Sequence, residues 1–498
     1  MRLRHVLGVS AGFHDAALSV VRSDGQIMFA GHSERYSKRK NDPFIDPALI
    51  RDAHQWPIDT IAFYERPWLH NLQQLVSGQY QWGPWTTKQA IYRYLNDWPN
   101  IFADVKQYKG FSHHLSHAAA GFQTSPFDSA VVVVIDAIGE LDTISIYHAS
   151  YDAQGQAQYQ RLWRQRYPHS IGLFYSAITK AVDLKPMEEE YITMGMAAYG
   201  SKLGHAWLAE NYISDRDNIK FLKNLHIGFD DGELCFSHDE DIAASAQSLT
   251  EELILNVMKR AHQLTASPNL VYMGGVALNC VANSRLGNIF ENIWIMPNPG
   301  DAGSSLGAAA LALGTRLKWT NAYLGHNIPG EYPVDKIVDE LETREICGVA
   351  SGRAEWGPRA LGNRSLLADP RGPTIKDRVN EIKRRQKFRP FAPVILEEYV
   401  EHYFDMPHKW KDSRYMQTVA HCRFPDLFPA ITHHDGTSRV QTVPQDGSGI
   451  RHLLESWYER TGCPMLLNTS LNIRGEPMVN DRTDADRFEK QYGVKVFS

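Results

Sequence analysis

The sequence predicts an α/β protein of two domains, the first carrying an internal duplication. Three observations lead there. A chain of 498 residues is too long for one hydrophobic core. Two separate segments repeat one strand–turn–strand–strand plan. Further on, strand-like runs end in Gly-Gly or Pro-Gly turns that open helices.

The first segment, LGVSAGFHDAALSVVRSDGQIMFAG, reads as strand, Gly-rich turn, strand, Asp-Gly turn, strand. The second, VVVVIDAIGELDTISIYHASYDAQGQAQYQRLW, repeats that plan, and GFHD at Gly12–Asp15 matches GELD at Gly139–Asp142 in spacing. Val131–Ile135 is apolar, as a strand buried on both faces requires. Two such units facing a cleft are the plan of actin-like, sugar-kinase-like (ASKHA) nucleotide-binding folds. There the tight turns, here at Gly12 and Gly139, hold phosphates with backbone N–H groups. Two unrelated meanders are the alternative.

Helices are expected at His113–Phe122, Ser170–Val182 and Leu249–Leu264 from their apolar periodicity. VYMGGVALNCVANSRL then runs a strand into Gly274-Gly275 and a helix, a junction suited to close approach of a nucleotide. MPNPGDAGSSLGAAALALG puts Asp301 in a Pro-Gly turn before a helix of small residues. Around Ala322–Pro333, Gly and Pro recur without periodicity, which divides the chain into domains 1–328 and 329–498.

The run Gly352–Arg389 carries eight Arg and three Lys against four acids, a local charge of +7 in a chain of net charge −5. Its arginines alternate with Gly, Pro and small residues. Gly and Pro set turns, and the Arg fork matches phosphate or carboxylate oxygens two at a time. A phosphate pocket is the favoured reading, over a solvated basic loop or a nucleic-acid patch. The five scattered Cys form no CxxC pair, which argues against a disulfide framework or zinc knuckle and for a reducing, cytoplasmic setting. The chain opens at Val6–Ser10 into a strand-like run without a signal-peptide core, and no apolar run is long enough to span a bilayer.

FSHHLSHAAAGF places His113 and His117 four apart in a helix-forming context, so both imidazoles share one face. Asp136 ends the buried strand and Asp301 lies in the Pro-Gly turn, both toward the expected cleft. Two His with carboxylates and open positions suit a ferrous, manganese or zinc ion.

Taken together, GVSAGFHDAALSVV, HHLSHAAAGF, VVVVIDAIGE, MGGVALNCVANSRL, NPGDAGSSLGAA, EWGPRALGNRSLLADPR, FRPFAPVI, RVQTV and LLNTSLNIRGEPMV carry a resemblance nearly end to end. The chain resembles the O-carbamoyltransferases of antibiotic and nodulation-factor biosynthesis. The resemblance implies a first domain similar to the actin-like threonylcarbamoyl-transferase domain of tRNA modification. It implies a second similar to the YrdC-like α/β domain that makes acyl-adenylates. Carbamoyl phosphate and ATP, with Mg2+, would give carbamoyladenylate and pyrophosphate in the second domain. In the first, a divalent metal, Fe2+ ahead of Mn2+ or Zn2+, would hold the adenylate while an acceptor hydroxyl attacks and AMP leaves.

By matching motif, the resemblance makes His113, His117 and Asp301 the metal ligands, with Asp136 at or near the ion. His14 in GFHD would deprotonate or orient the acceptor hydroxyl, and Gly274, Gly275 and Asn279 would flank the nucleotide. In the second domain Arg359, Lys383, Arg389, Arg439 and Arg474 would bind the phosphates of carbamoyl phosphate and ATP, with Asn468 and Ser470 as polar partners. Arg371, Arg378 and Arg385 are assigned to a solvated face or interface.

The chain departs from the resemblance at Ile192, where the family usually carries Lys, and it is short for the family. The expected partner is an acceptor bearing a hydroxyl: a small molecule such as an antibiotic or sugar, or a hydroxymethylated pyrimidine, free or as hydroxymethylcytosine in DNA. No membrane partner is expected, and the protein is read as a monomer or homodimer. An actin-like small-molecule kinase and a non-catalytic ATP-binding scaffold are the competing readings.

Overall fold

The computed structural model describes residues 4–76, 83–95, 102–230, 232–410 and 412–498. The chain forms two units, Met1–Ser33 with Asn41–Thr320, and Glu34–Lys40 with Asn321–Ser498. The strand Tyr323–Ile328, assigned from sequence to the first domain, pairs with Gly352–Glu355 and lies in the second unit.

The first unit holds two five-stranded sheets of one topology. In one, His5–Ser10, Ala17–Arg22 and Ile27–His32 form an antiparallel meander; Ile58–Phe63 then adds parallel to the first strand, and Gln107–Gly110 parallel to that. In the other, Ser129–Gly139, Asp142–Tyr151 and Ala157–Arg166 form the meander, and Asn269–Met273 and Asn292–Trp294 add in the same way. This is the duplicated α/β plan read from the sequence. The two turns differ, however. The first is a loop, Ala11–Ala16, carrying His14. The second is a two-residue hairpin in which Gly139 opposes Asp142 and Glu140 takes φ 57°.

The central strands are apolar because both faces are covered: His5–Ser10 and Ala130–Asp136 are buried throughout. The helix Gly303–Leu313 packs on the strand His5–Ser10 and on the helix His113–Thr124. Two glycines permit this approach. A Cβ on Gly8 would lie 1.8 Å from the Ser305 carbonyl oxygen, and one on Gly307 would lie 1.8 Å from that of Ser116. The helix Asp239–Thr265 starts ten residues before the expected Leu249. Its first turns, rich in Ala and Ser, carry little apolar periodicity, and Asp239, Glu240 and Asp241 favour a helix N-terminus instead.

The second unit is a six-stranded mixed sheet in the order Gln441–Val443, Ala392–Leu396, Met465–Ser470, Arg364–Ala368, Ile346–Ala350, Val496–Phe497. Its core joins Ile337 and Leu341 with Leu366, Val394, Leu453, Trp457 and Leu466. The strand directions bring to one end of the sheet the starts of Gln441–Val443, Ala392–Leu396 and Arg364–Ala368. The ends of Met465–Ser470 and Ile346–Ala350 lie there too. The early segment Glu34–Lys40 is built into this unit. Arg35 is buried and donates from Nη2 to the Gly357 carbonyl at 2.8 Å, and Lys38 donates to the Asp484 carboxylate.

Candidate functional site

In the first unit His113, His117, Asp136 and Asp301 converge, each buried, with one donor atom apiece inside a 4.8 Å cluster. The helix His113–Thr124 puts the two imidazoles one turn apart on its inner face, Nε2 to Nε2 at 3.1 Å. Asp136 Oδ2 lies 3.1 Å from His117 Nε2 and 3.4 Å from His113 Nε2. Asp301 Oδ1 lies 3.2 Å and 3.3 Å from the same nitrogens. Donors held about 2.0–2.1 Å from one ion would stand about 2.8–3.4 Å apart at octahedral or tetrahedral angles, so the His–His and His–Asp separations suit a divalent cation. His117 Nδ1 donates to the Pro299 carbonyl at 3.0 Å, which turns the Nε2 lone pair inward.

Electrostatics agree. Burial alone would lower His113, but Asp301 and Asp136 raise it well above the imidazole range. His117 is likewise raised against burial by the same two carboxylates. Burial would raise Asp136, yet the two imidazoles hold it well below the usual carboxylate range, and Asp301 is lowered too. Two ionised carboxylates therefore call for positive charge, as protons or as a dication. His114 points elsewhere, its Nδ1 2.8 Å from Ser145 Oγ, and burial pushes it well below the imidazole range.

Two further residues shape this site. Glu65 Oε2 lies 3.6 Å from His113 Nδ1, just beyond hydrogen-bond distance, and faces the ring from behind the donor set. The neighbouring Arg66 grips Glu140 from Nε and Nη2, at 3.1 Å and 2.6 Å, which ties the end of Ile58–Phe63 to the Gly139–Asp142 hairpin. Gly139 is small for a reason, since a Cβ there would lie 2.4 Å from the His113 ring. Glu65 escaped the sequence reading because nothing local marks it. Its place comes from the parallel pairing of Ile58–Phe63 with His5–Ser10.

His14 stands at the rim with 31 % of its side chain exposed, Nδ1 3.0 Å from Asp15 Oδ2 and Nε2 3.6 Å from Asp301 Oδ2. Burial would lower it, but Asp301 and Asp15 raise it to about 10. A cation on Asp301 would remove that pull and favour the neutral imidazole a base requires. The Gly12 turn places φ at 110° and leaves room for the Tyr94 hydroxyl. Gly274, at φ 92°, donates its N–H to the Pro299 carbonyl, and a Cβ would lie 2.1 Å from the Ile135 oxygen. Gly275 leaves Asp136 uncovered, a Cβ there lying 3.2 Å from Oδ1. Asn279 exchanges hydrogen bonds with Gln247 at 3.0 Å and 3.1 Å, and Gln247 also accepts from Tyr175. Ile192 is buried in the helix Glu190–Met196, so this position presents no charge.

In the second unit Arg359, Arg389 and Arg439 precede three strands whose starts share one end of the sheet, and Arg474 follows Met465–Ser470 at that same end. Lys383, expected at the phosphates, is buried. It donates to Asn472 O and Oδ1, both at 2.9 Å, and to the Ser470 carbonyl. Its own carbonyl accepts from Arg474 N at 2.9 Å. These bonds join Lys383 to the 470–474 loop. Burial, with Arg385, Arg389 and Lys40 nearby, lowers its pKa well below the lysine range. Ser470 Oγ joins Asn472 Oδ1 at 2.6 Å, and Asn468 Nδ2 donates to Ala360 O and Gln441 Oε1.

Arg364, which the charge pattern did not single out, is fully buried. It donates to five backbone carbonyls, of Asn480, Ser351, Asn363, His326 and Gly352, at 2.8–3.1 Å. Arg371 pairs with Asp369, Arg378 with Glu345, and Arg385 lies over the Phe391 ring.

A buried His–Asp cluster thus lies in the first unit, and in the second four arginines flank strand termini at one end of the sheet. Family models of the carbamoyltransferase N-terminus and C-terminus match residues 84–310 and 338–497. An uncharacterized protein of Synechocystis sp. is 32 % identical, the alignment covering 97 % of this chain and 94 % of that protein. Nodulation protein NolNO of Sinorhizobium fredii is 30 % identical over 95 % of this chain and 76 % of its own length. Nodulation protein U of the same species is 28 % identical over 93 % and 92 %. The chain belongs to the carbamoyltransferase family. Among solved structures, the activator of 2-hydroxyisocaproyl-CoA dehydratase from Clostridium difficile aligns at 15 % identity and a TM-score of 0.36. It covers 62 % of this chain and 94 % of that one, a likeness too distant to bear on function. Among the described residues no helix is long and apolar enough to cross a membrane.

Proposed function

We propose that this carbamoyltransferase is an ATP-dependent O-carbamoyltransferase with two active sites, one in each unit. In the second unit, carbamoyl phosphate, ATP and one water give carbamoyladenylate, pyrophosphate and inorganic phosphate. Arg359, Arg389, Arg439 and Arg474 bind the phosphate oxygens and offset the charge of phosphoryl transfer. Lys383 and Ser470 hold the loop that presents Arg474. Water cleaves carbamoyl phosphate to carbamate and phosphate, the carbamate oxygen attacks the α-phosphate of ATP as pyrophosphate leaves, and the carbamoyl group, whose nitrogen still donates into its carbonyl, then has AMP as its leaving group.

In the first unit Gly274, Gly275 and Asn279 flank the adenylate, and Gly12 and Gly139 allow close approach of backbone to it. His14 takes the proton of the acceptor hydroxyl as oxygen attacks the carbamoyl carbon; the acceptor gains the carbamoyl group, and AMP departs. A divalent ion at His113, His117, Asp136 and Asp301, Fe2+ ahead of Mn2+ or Zn2+, would supply a Lewis acid to polarise the carbamoyl carbonyl. The acceptor is a small molecule bearing a hydroxyl. Net charge −5 gives no general affinity for DNA, which weighs against a base within a duplex.

What supports this reading is that four arginines flank strand termini at one sheet end, in a unit that does not contain the His–Asp donor set. A kinase needs no such second site. The test is exchange of labelled pyrophosphate into ATP, which should require carbamoyl phosphate. Arg389→Ala should abolish the exchange. His117→Ala should leave it intact and lose transfer to an acceptor by about 1,000-fold or more. Exchange indifferent to carbamoyl phosphate, or loss of both activities in both folded variants, would sink the proposal.

A further inference from the structure

We infer that the Asn468 side-chain oxygen recognises the carbamoyl NH2 group and so determines which acyl phosphate the second unit accepts. The inference rests on the proposed use of carbamoyl phosphate and adds the residue that reads its amide.

Asn468 lies on Met465–Ser470 and is 1 % exposed. Its Nδ2 donates to the Ala360 carbonyl at 3.1 Å and to Gln441 Oε1 at 2.8 Å. Gln441 is itself oriented, its Nε2 donating to the Leu361 carbonyl at 3.1 Å. Backbone carbonyls only accept, so neither amide can be turned over without setting oxygen against oxygen. Asn468 Oδ1 is thereby fixed as an acceptor, and it is buried with no hydrogen-bond partner among the described residues. Buried acceptors of this kind are rare in folded proteins and call for a partner.

The frame around it is rigid. Glu355 Oε1 accepts from the backbone N–H of Leu361, Asn363 and Arg364 at 2.8, 2.9 and 3.1 Å. Tyr323 donates to the Leu361 carbonyl at 2.9 Å. Asn468 also shares its strand face with Ser470, pairs in register with Ala392, and touches Ala360 beside Arg359. It therefore belongs to the sheet end that receives Arg359, Arg389, Arg439 and Arg474.

Arginines supply donors alone. They suit phosphate and carbonyl oxygens and offer nothing to an N–H. A carbamoyl group brings two N–H donors, and a fixed amide oxygen at the sheet end that the arginines flank is the complementary group. An acetyl methyl in the same place would leave that oxygen unpaired, and a carboxyl oxygen would be repelled by it. A site built to pair a polar group rejects analogues lacking it far more strongly than an apolar pocket can.

The experiment uses full-length protein and two readouts. In pyrophosphate exchange, wild type should prefer carbamoyl phosphate to acetyl phosphate by at least about 100-fold in kcat/KM, and Asn468→Ala should lose most of that preference. In calorimetry, wild type should bind phosphonoacetamide more tightly than its methyl-ketone isostere, acetonylphosphonate, and Asn468→Ala should bind the two alike. Unchanged inorganic phosphate binding confirms that the variant is folded. If it is not, Gln441→Met, which releases the amide, decides by the same preference. A folded variant that keeps the wild-type preference overturns the inference alone. Wild-type exchange that ignores carbamoyl phosphate overturns the proposed function, and the inference with it.

Discussion

His113 is held from both sides: Asp136 and Asp301 face its Nε2, and Glu65 stands behind its Nδ1 at 3.6 Å. A carboxylate in that position orients the ring and raises its basicity. Glu65→Gln is therefore expected to weaken divalent-metal affinity about 10- to 100-fold, measured by competition with a chromogenic chelator. Unchanged affinity would reduce Glu65 to packing. Arg364 shows the opposite use of charge. Its guanidinium satisfies five buried carbonyls, so Arg364→Leu should cost about 3 kcal/mol or more in denaturant unfolding, with the acceptors left unpaired. The His113 and His117 pair was legible because helical spacing alone puts both on one face. Glu65, Arg364 and Gln441 were not. Glu65 meets His113 across 48 residues, Gln441 bonds to Leu361 across 80, and Arg364 reaches Asn480 across 116, while nothing in local composition separates a buried arginine from a solvated one.

At the scale of elements, the donor set depends on how closely the helix Gly303–Leu313 crosses His113–Thr124. Asp301 precedes one helix and the imidazoles ride on the other, so the crossing sets their separation. Gly307→Val is expected to push the helices apart and to lower stability by about 1–3 kcal/mol. Metal stoichiometry by elemental analysis should fall in the same variant, although residue 307 is no ligand. A variant that loses stability but keeps full metal content would show that the site does not depend on this crossing. The duplicated meander was readable because its strands alternate with Gly turns and its core run is apolar on both faces. The differing turns were not, because GFHD and GELD have equal spacing while only the first opens into a loop. Lys383 was legible as a cation of the basic run, but its bonds to Ser470 and Asn472 were not. A basic run records where cations lie in sequence and not where each ammonium points.

For the molecule as a whole, the His–Asp set makes stability depend on pH in a direction that metal reverses. In metal-free protein the raised His113 and His117 keep their protons to higher pH than in the unfolded chain. Their contribution is full below about pH 6.5 and is lost as pH rises through the folded values. The lowered Asp136 and Asp301 contribute above the usual carboxylate range and fail only in acid. Chelator-treated protein should thus melt progressively lower between about pH 6 and pH 9. A dication takes the place of those protons and binds more tightly as pH rises, so metal-saturated protein should separate upward from it over the same range. Parallel melting curves would indicate that the cluster takes up protons and no ion.

The segment Glu34–Lys40 has a consequence for how such a protein can evolve. It leaves the first unit after Ser33, places Arg35 and Lys38 inside the second, and returns at Asn41. A recombination at residue 320 would deliver a second unit stripped of a buried arginine and of the lysine paired with Asp484. Inheritance of the two units as separate genes, or exchange of one for a foreign counterpart, thus requires those seven residues to be replaced. The thread favours their transmission as one reading frame.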